Sequence, residues 1–155
     1  MNIERALLEN PALRVLRPAE ISALADAMTI RRVKAGTEII VEGARDQDLY
    51  VVMEGVISMH RRPTEQGELT ELGELGPGAM IGLVALLDPG PRSTTCTAKT
   101  DVVLAVLPYS AFSLLYRTST GFSVRFRFAA ACQVSDDLIR LTHRLVDARN
   151  QAARR

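Results

Sequence analysis

The chain has 155 residues, 47% of them hydrophobic and 24% charged, with a formal net charge of +1. That is the length of one domain able to bury a core, and the composition of an ordinary globular protein rather than a disordered or fibrous one. No apolar run approaches the ~20 residues of a membrane span, the net charge gives no general pull toward nucleic acid, and two distant cysteines match no metal or redox spacing.

The opening MNIERALLENP carries acidic residues and no signal-like apolar core, which gives the expectation of a cytoplasmic protein. Ile3, Ala6 and Leu7 make a short helical face that Pro11 interrupts. A second helical segment begins near Pro18, a residue tolerated in a first turn, and places Ile21, Leu24, Ala25 and Met28 at helical spacing. From Thr29 to Leu107 the period changes. Short β-branched runs follow one another: TIRRV, TEIIV, LYVVM, VISMH, TELGEL, TTCTA and VVLAVL. Gly36, Gly43, Gly55, Gly67, Gly76 and Gly78 punctuate them, the spacing of an all-β roll or sandwich. The Arg61–Glu68 segment reads as an exposed hairpin loop, and Cys96 and Cys132 as small buried hydrophobes.

Within this region the stretch Gly76–Ala98 stands apart. Gly76, Pro77, Gly78 and Gly82 impose a tight backbone course, and the apolar run Leu83–Leu87 follows at once. That run is long enough for one or two helical turns, whose opening amides lack intrahelical partners and suit an anion. Arg92 comes next, framed by Pro91 and the hydroxyls of Ser93, Thr94 and Thr95. A guanidinium with free amides and hydroxyls nearby is what a single bound phosphate requires. The competing reading pairs Arg92 with a neighbouring carboxylate such as Asp88.

This stretch resembles the phosphate-binding cassette of cyclic-nucleotide-binding domains of the catabolite activator and cAMP-dependent kinase regulatory type. Their pattern, Phe-Gly-Glu-x-Ala-Leu followed after a short gap by Arg-Ala/Ser-Ala-Thr/Ser, reads here as Ile81-Gly82-Leu83-Val84-Ala85-Leu86 and Arg92-Ser93-Thr94-Thr95. Lys34-Ala35-Gly36, Glu42-Gly43, Asp46, Asp48, Leu49-Tyr50, Val52, Gly55 and Leu75-Gly76-Pro77-Gly78 extend the likeness over residues 12 to 117. The resemblance implies a mainly β fold with flanking helices. The implied fold is an eight-stranded β-roll, or jelly roll, with N-terminal helices, a short cassette helix and a long C-terminal helix. It also implies a ligand site at Gly82, Leu83, Val84, Ala85, Arg92, Ser93 and Thr94, with Arg92, the Ala85 backbone and Ser93 holding a cyclic phosphate.

One position departs. Leu83 stands where the family places the carboxylate that holds the ribose 2′-hydroxyl. Losing a hydrogen bond to a charged partner costs about 1.5–3 kcal/mol, roughly ten- to a hundred-fold in affinity, and hydrocarbon facing a hydroxyl adds a desolvation penalty. Binding of cAMP or cGMP is therefore expected to be weak, at micromolar levels or worse. The alternatives are a pocket that prefers a phosphate-bearing or apolar molecule without a ribose diol, or one that binds nothing. The residues choose no base.

After Leu107 the period returns to helical. Pro108 opens a helix with Ala111, Phe112, Leu115 and Tyr116 inward, and a longer one runs from Phe122 to about Ala153. In it Ala131, Val134, Leu138, Leu141, Leu145 and Ala148 recur in three- and four-residue steps, a helix-packing seam. Residues 1–120 thus read as the roll with its N-terminal helices, and 121–155 as a dimerisation or lid helix of the same domain. In catabolite-activator-type proteins such helices pair across a two-fold axis, which implies a homodimer; in kinase regulatory domains the helix folds back on its own roll. Arg140, Arg144, Arg149, Arg154 and Arg155 against Asp147 make a basic tail with no element to enter a DNA groove.

Catalysis finds no constellation. His60 sits in a strand and His143 on a helical polar face, no serine or cysteine lies in a nucleophile context, and two histidines are too few for a cupin-type metal site. The expectation is a non-enzymatic sensor with no cofactor or metal, cAMP or cGMP as its possible ligand, and an unidentified effector protein. The rival expectation is a ligand-free dimerisation or protein-interaction scaffold.

Overall fold

The structure is a computed structural model and describes residues 2–62 and 66–154. Pro63, Thr64 and Glu65 of the expected hairpin loop, and Arg155 of the basic tail, lie outside the described residues. The chain opens with helix α1 (Ile3–Glu9), a 3-10 turn (Pro11–Val15) and helix α2 (Pro18–Asp26). Eight strands follow: β1 (Thr29–Val33), β2 (Glu38–Ile40), β3 (Leu49–Glu54), β4 (Ile57–Arg61), β5 (Thr70–Leu75), β6 (Met80–Ile81), β7 (Thr95–Ala98) and β8 (Val102–Leu107). Helix α3 (Leu83–Leu87) interrupts them between β6 and β7, and helices α4 (Tyr109–Thr118) and α5 (Thr120–Ala153) close the chain.

The strands form two antiparallel four-stranded sheets, ordered β1-β8-β3-β6 and β2-β7-β4-β5, the jelly roll that the sequence implies. Seven strands coincide with the β-branched runs. The eighth, Met80–Ile81, hides in the glycine-rich stretch because two residues carry no periodicity of their own.

The central strands β3 and β8 read as nearly unbroken apolar runs because both faces of their sheet are covered. Alternate residues point to opposite faces. Leu49, Val51, Val103, Ala105 and Leu107 join the core under the helices, while Tyr50, Val52, Val102, Leu104 and Val106 join the core between the sheets. The helix-side core is closed by α4 and the first part of α5. Phe112, Phe122 and Phe126 stack edge-to-face or tilted, with ring centroids 5.1–6.5 Å apart. On the far side of that joint Arg125 forks onto Glu20 of α2, with Nε donating to Oε2 at 2.8 Å.

At about 1.5 Å per residue the 34-residue α5 is roughly 50 Å long, more than the roll can cover. Its buried residues are Phe122, Ser123, Phe126, Ala129 and Ala130, all before the seam read from the sequence. Of that seam, Val134 and Leu141 line the cavity described below, while Leu138 and Leu145 are 64% and 71% exposed. Cys132, expected to be buried, is only half-buried, because the helix has by then left the aromatic joint. Cys96 is fully buried, and burial pushes its thiol up from the ordinary range, which keeps it protonated.

Candidate functional site

Between the roll and the overhanging α5 lies a cavity of about 780 Å³, within the ~300–1,000 Å³ range of small-ligand sites. All seven residues expected at the site, Gly82, Leu83, Val84, Ala85, Arg92, Ser93 and Thr94, line it. They come together because the turn at Gly82 lets α3 fold over the segment that carries Arg92. Gly82 caps α3 at φ 90°, a backbone conformation that favours glycine. A Cβ there would collide with Arg92 Nη1 and approach Asp48 O to 2.8 Å. The Leu86 N–H closes on Gly82 O, so the amides of α3's first turn have no partner within the helix.

Arg92 is held at both ends. Its backbone N–H donates to Ala44 O at 2.7 Å and its carbonyl accepts from Gly43 N–H at 2.8 Å, a two-bond rung that sets it beside the β2–β3 connection. Its side chain, 3% exposed, donates from Nε and Nη2 to the two oxygens of Asp46 at 3.3 and 2.5 Å. Nη2 also reaches Asp48 O at 2.8 Å, and Nη1 reaches Gly82 O at 3.4 Å. These bonds occupy all but one of the guanidinium N–H groups. The carboxylate partner is therefore Asp46, and the expected alternative, Asp88, is not used. Asp88 caps the far end of α3 and is exposed, whereas the Gly43–Ala44 rung delivers Asp46 to the guanidinium. The Arg92 bond holds the Asp46 carboxyl below its ordinary value of 3.8, so the ion pair is intact at neutral pH.

The other cassette residues divide by exposure. Leu83, 5% exposed, packs with Leu86 and Met80 in the helix-side core, and Ala85 is buried beside it. Val84 and Ser93 are exposed and Thr94 is half-buried, its hydroxyl 3.9 Å from Cys96 Sγ. Gln47 Nε2 donates to Ala85 O at 2.9 Å and ties α3 to the β2–β3 connection.

A profile of the cyclic nucleotide-binding domain matches residues 30–119. The chain belongs to that family. A cAMP-dependent protein kinase regulatory subunit of Yarrowia lipolytica is 38% identical over 109 residues, 70% of this chain and 28% of that protein. The chain therefore spans under a third of that curated relative. Among solved structures, the catabolite activator protein of Thermus thermophilus is 26% identical with a TM-score of 0.71, covering 86% of this chain and 62% of that one. A cAMP-bound fragment of PfPKA-R is 28% identical with a TM-score of 0.67, covering 73% and 40%.

In this cyclic nucleotide-binding domain the opposite wall of the cavity was not among the expected site residues. Gln133, Val134, Asp137, Arg140, Leu141 and Arg144 of α5 line it. Two contacts anchor this wall. Buried Asn10 donates from Nδ2 to Gly78 O at 3.1 Å and to Gln133 Oε1 at 2.9 Å, and accepts from Ala12 N–H at 2.9 Å. Gln133 in turn donates to Asp137 Oδ1 at 3.0 Å, and further along the helix Arg144 donates to Leu72 O of β5. Arg140 and Arg144, read from the sequence as basic tail, thus belong to the cavity. Asn10 was not singled out from the sequence; the pair Asn10-Pro11, an N-cap before a first-turn proline, is a signal for its capping role, but no local signal points to its reach to Gln133.

Proposed function

We propose that the chain is a regulatory, ligand-sensing domain that binds a cyclic nucleotide, cAMP or cGMP, or a related phosphate ester through Arg92, Ser93, Thr94 and the backbone of Gly82–Ala85. The observation that carries this reading is the buried guanidinium of Arg92 on the wall of an open cavity built from the family's cassette. The cAMP-bound PfPKA-R relative supports the ligand class. Binding is weak, micromolar or worse, because one Arg92 N–H is free and the rest must be won from Asp46 and two carbonyls.

Helix α5 is the output of this sensor. It is both a wall of the cavity and the carrier of an exposed apolar face, Val124, Phe128, Leu138 and Leu145, on which a second copy or an effector protein docks. Calorimetry with cAMP and cGMP tests the reading. Saturable binding that Arg92→Ala abolishes, with the circular dichroism spectrum retained, supports it. Silence at millimolar ligand favours the second reading, a ligand-free interaction scaffold, to which the near-complete bonding of Arg92 by Asp46, Asp48 and Gly82 also lends weight.

A further inference from the structure

The inner face of α5 changes character where the helix leaves the roll. Phe126, Gln133 and Arg140 follow one another at seven-residue intervals, about two helical turns, and so do Ala130, Asp137 and Arg144. Each series starts in the helix-side core, turns polar at the edge of the cavity, and ends in an arginine that lines it. Arg140 and Arg144 stand about one turn apart, a spacing at which two like charges destabilise a helix. No carboxylate offsets them: among the described residues neither takes part in an ion pair. Arg144 uses one N–H on the neutral carbonyl of Leu72, and Arg140 has no hydrogen-bond partner among the described residues. The acids that line the cavity are engaged or lie at its ends. Glu74 pairs with Lys99, Asp137 accepts from Gln133, and Glu9 and Asp88 stand at the C-terminal ends of α1 and α3. Across the cavity the charge of Arg92 is already met by Asp46.

One cavity of about 780 Å³ thus has a carboxylate-bound guanidinium on the roll side and two guanidinia without a counter-charge on the helix side. Its volume lies toward the upper end of the ~300–1,000 Å³ range of small-ligand sites, with room for more than a mononucleotide. A like-charge pair kept at a cavity wall, with no structural compensation, breaks a local rule in the manner of a functional site. We infer that Arg140 and Arg144 form a second anion site, and that the ligand class of this cavity is a cyclic dinucleotide, whose two phosphodiesters lie on opposite sides of one ring. One phosphodiester meets Arg92 and the other the two arginines of α5, whose planar donor forks suit phosphate oxygens. Such a ligand ties α5 to the roll through charge at both walls. The inference rests on the reading that Arg92 holds a phosphate.

The test is calorimetric titration of the full chain with cyclic di-GMP and cyclic di-AMP, against cGMP and cAMP. At least one dinucleotide is expected to bind about tenfold or more tightly than its mononucleotide. Arg140→Gln, at an exposed position, is expected to weaken that dinucleotide by about five- to tenfold and to leave the mononucleotides unchanged. Dinucleotides that bind no more tightly than mononucleotides overturn the inference, and so does an Arg140→Gln protein that loses affinity for neither or for both alike. In those cases a cAMP affinity that Arg92→Ala abolishes leaves the Arg92 reading standing. Dinucleotide binding that Arg140→Gln weakens and Arg92→Ala leaves intact removes the Arg92 reading, and the inferred bridge between the walls with it. Silence from all four ligands removes both.

Discussion

The two walls of the cavity are built differently. On the roll side, Arg92 is buried, fixed through both backbone and side chain, and backed by strands whose two faces are both covered. On the helix side, every residue of α5 beyond Val134 is exposed, and the wall rests on the Asn10–Gln133 and Arg144–Leu72 contacts. The contrast separates a pre-formed anchor from an adjustable cover. Opening α5 beyond the aromatic joint exposes little apolar surface that is now hidden, so local release of that segment requires far less than global unfolding.

The largest expected effect comes from breaking the joint that holds the cover to the anchor. Phe126→Ala removes a fully buried ring from the Phe112–Phe122 cluster and is expected to cost about 3–5 kcal/mol in denaturant unfolding. A loss below about 1 kcal/mol would mean that α5 does not hold the position described. Next comes the turn under Arg92. Gly82→Ala places a Cβ at positive φ and into the guanidinium, with an expected loss of about 1–3 kcal/mol and displacement of the Arg92 side chain. Unchanged stability would show that Arg92 and the Asp48 carbonyl leave room for a side chain at Gly82.

Acid weakens both regions by one mechanism. Arg92 lowers the Asp46 carboxyl below 3.8 and Arg125 lowers the Glu20 carboxyl below 4.5. The stability each contributes is complete above those ordinary values and is lost as pH falls through the lower folded-state values, because the unfolded chain takes up protons first. Melting temperature should therefore decline below about pH 4.5, and Asp46→Asn should remove part of that decline. The smallest global effect, and the sharpest contrast between the walls, belongs to Gln133→Ala. It is expected to cost about 0.5–1.5 kcal/mol, while amide exchange quickens in α5 from residue 133 onward and stays unchanged in β3 and β8. Equal acceleration in the strands would mean that the helix wall is not a separate unit.

The sequence was a good guide where structure follows local pattern. Alternation and β-branched runs gave seven of the eight strands, and the Gly82 turn and Arg92 were placed by local chemistry and by family likeness. What stayed hidden depended on distant pairing. Asp46 lies 46 residues from Arg92, and Asn10 lies 123 from Gln133, separations that no window of periodicity spans. The seam of α5 is compatible with a second helix, the favoured expectation, and also with its own roll. Phe122 and Phe126, which decide where the helix attaches, sit before the seam, so the periodicity that drew notice was not the one that anchors it.

The central claim is that the Arg92 guanidinium meets a ligand phosphate. Nitrogen-15 NMR of the Arg92 Nε–Hε resonance during titration with cAMP, with adenosine as the control, tests it at the atom concerned. The account predicts a saturable shift of that resonance with cAMP and none with adenosine. A resonance that stays fixed while signals elsewhere in the cavity move would contradict it.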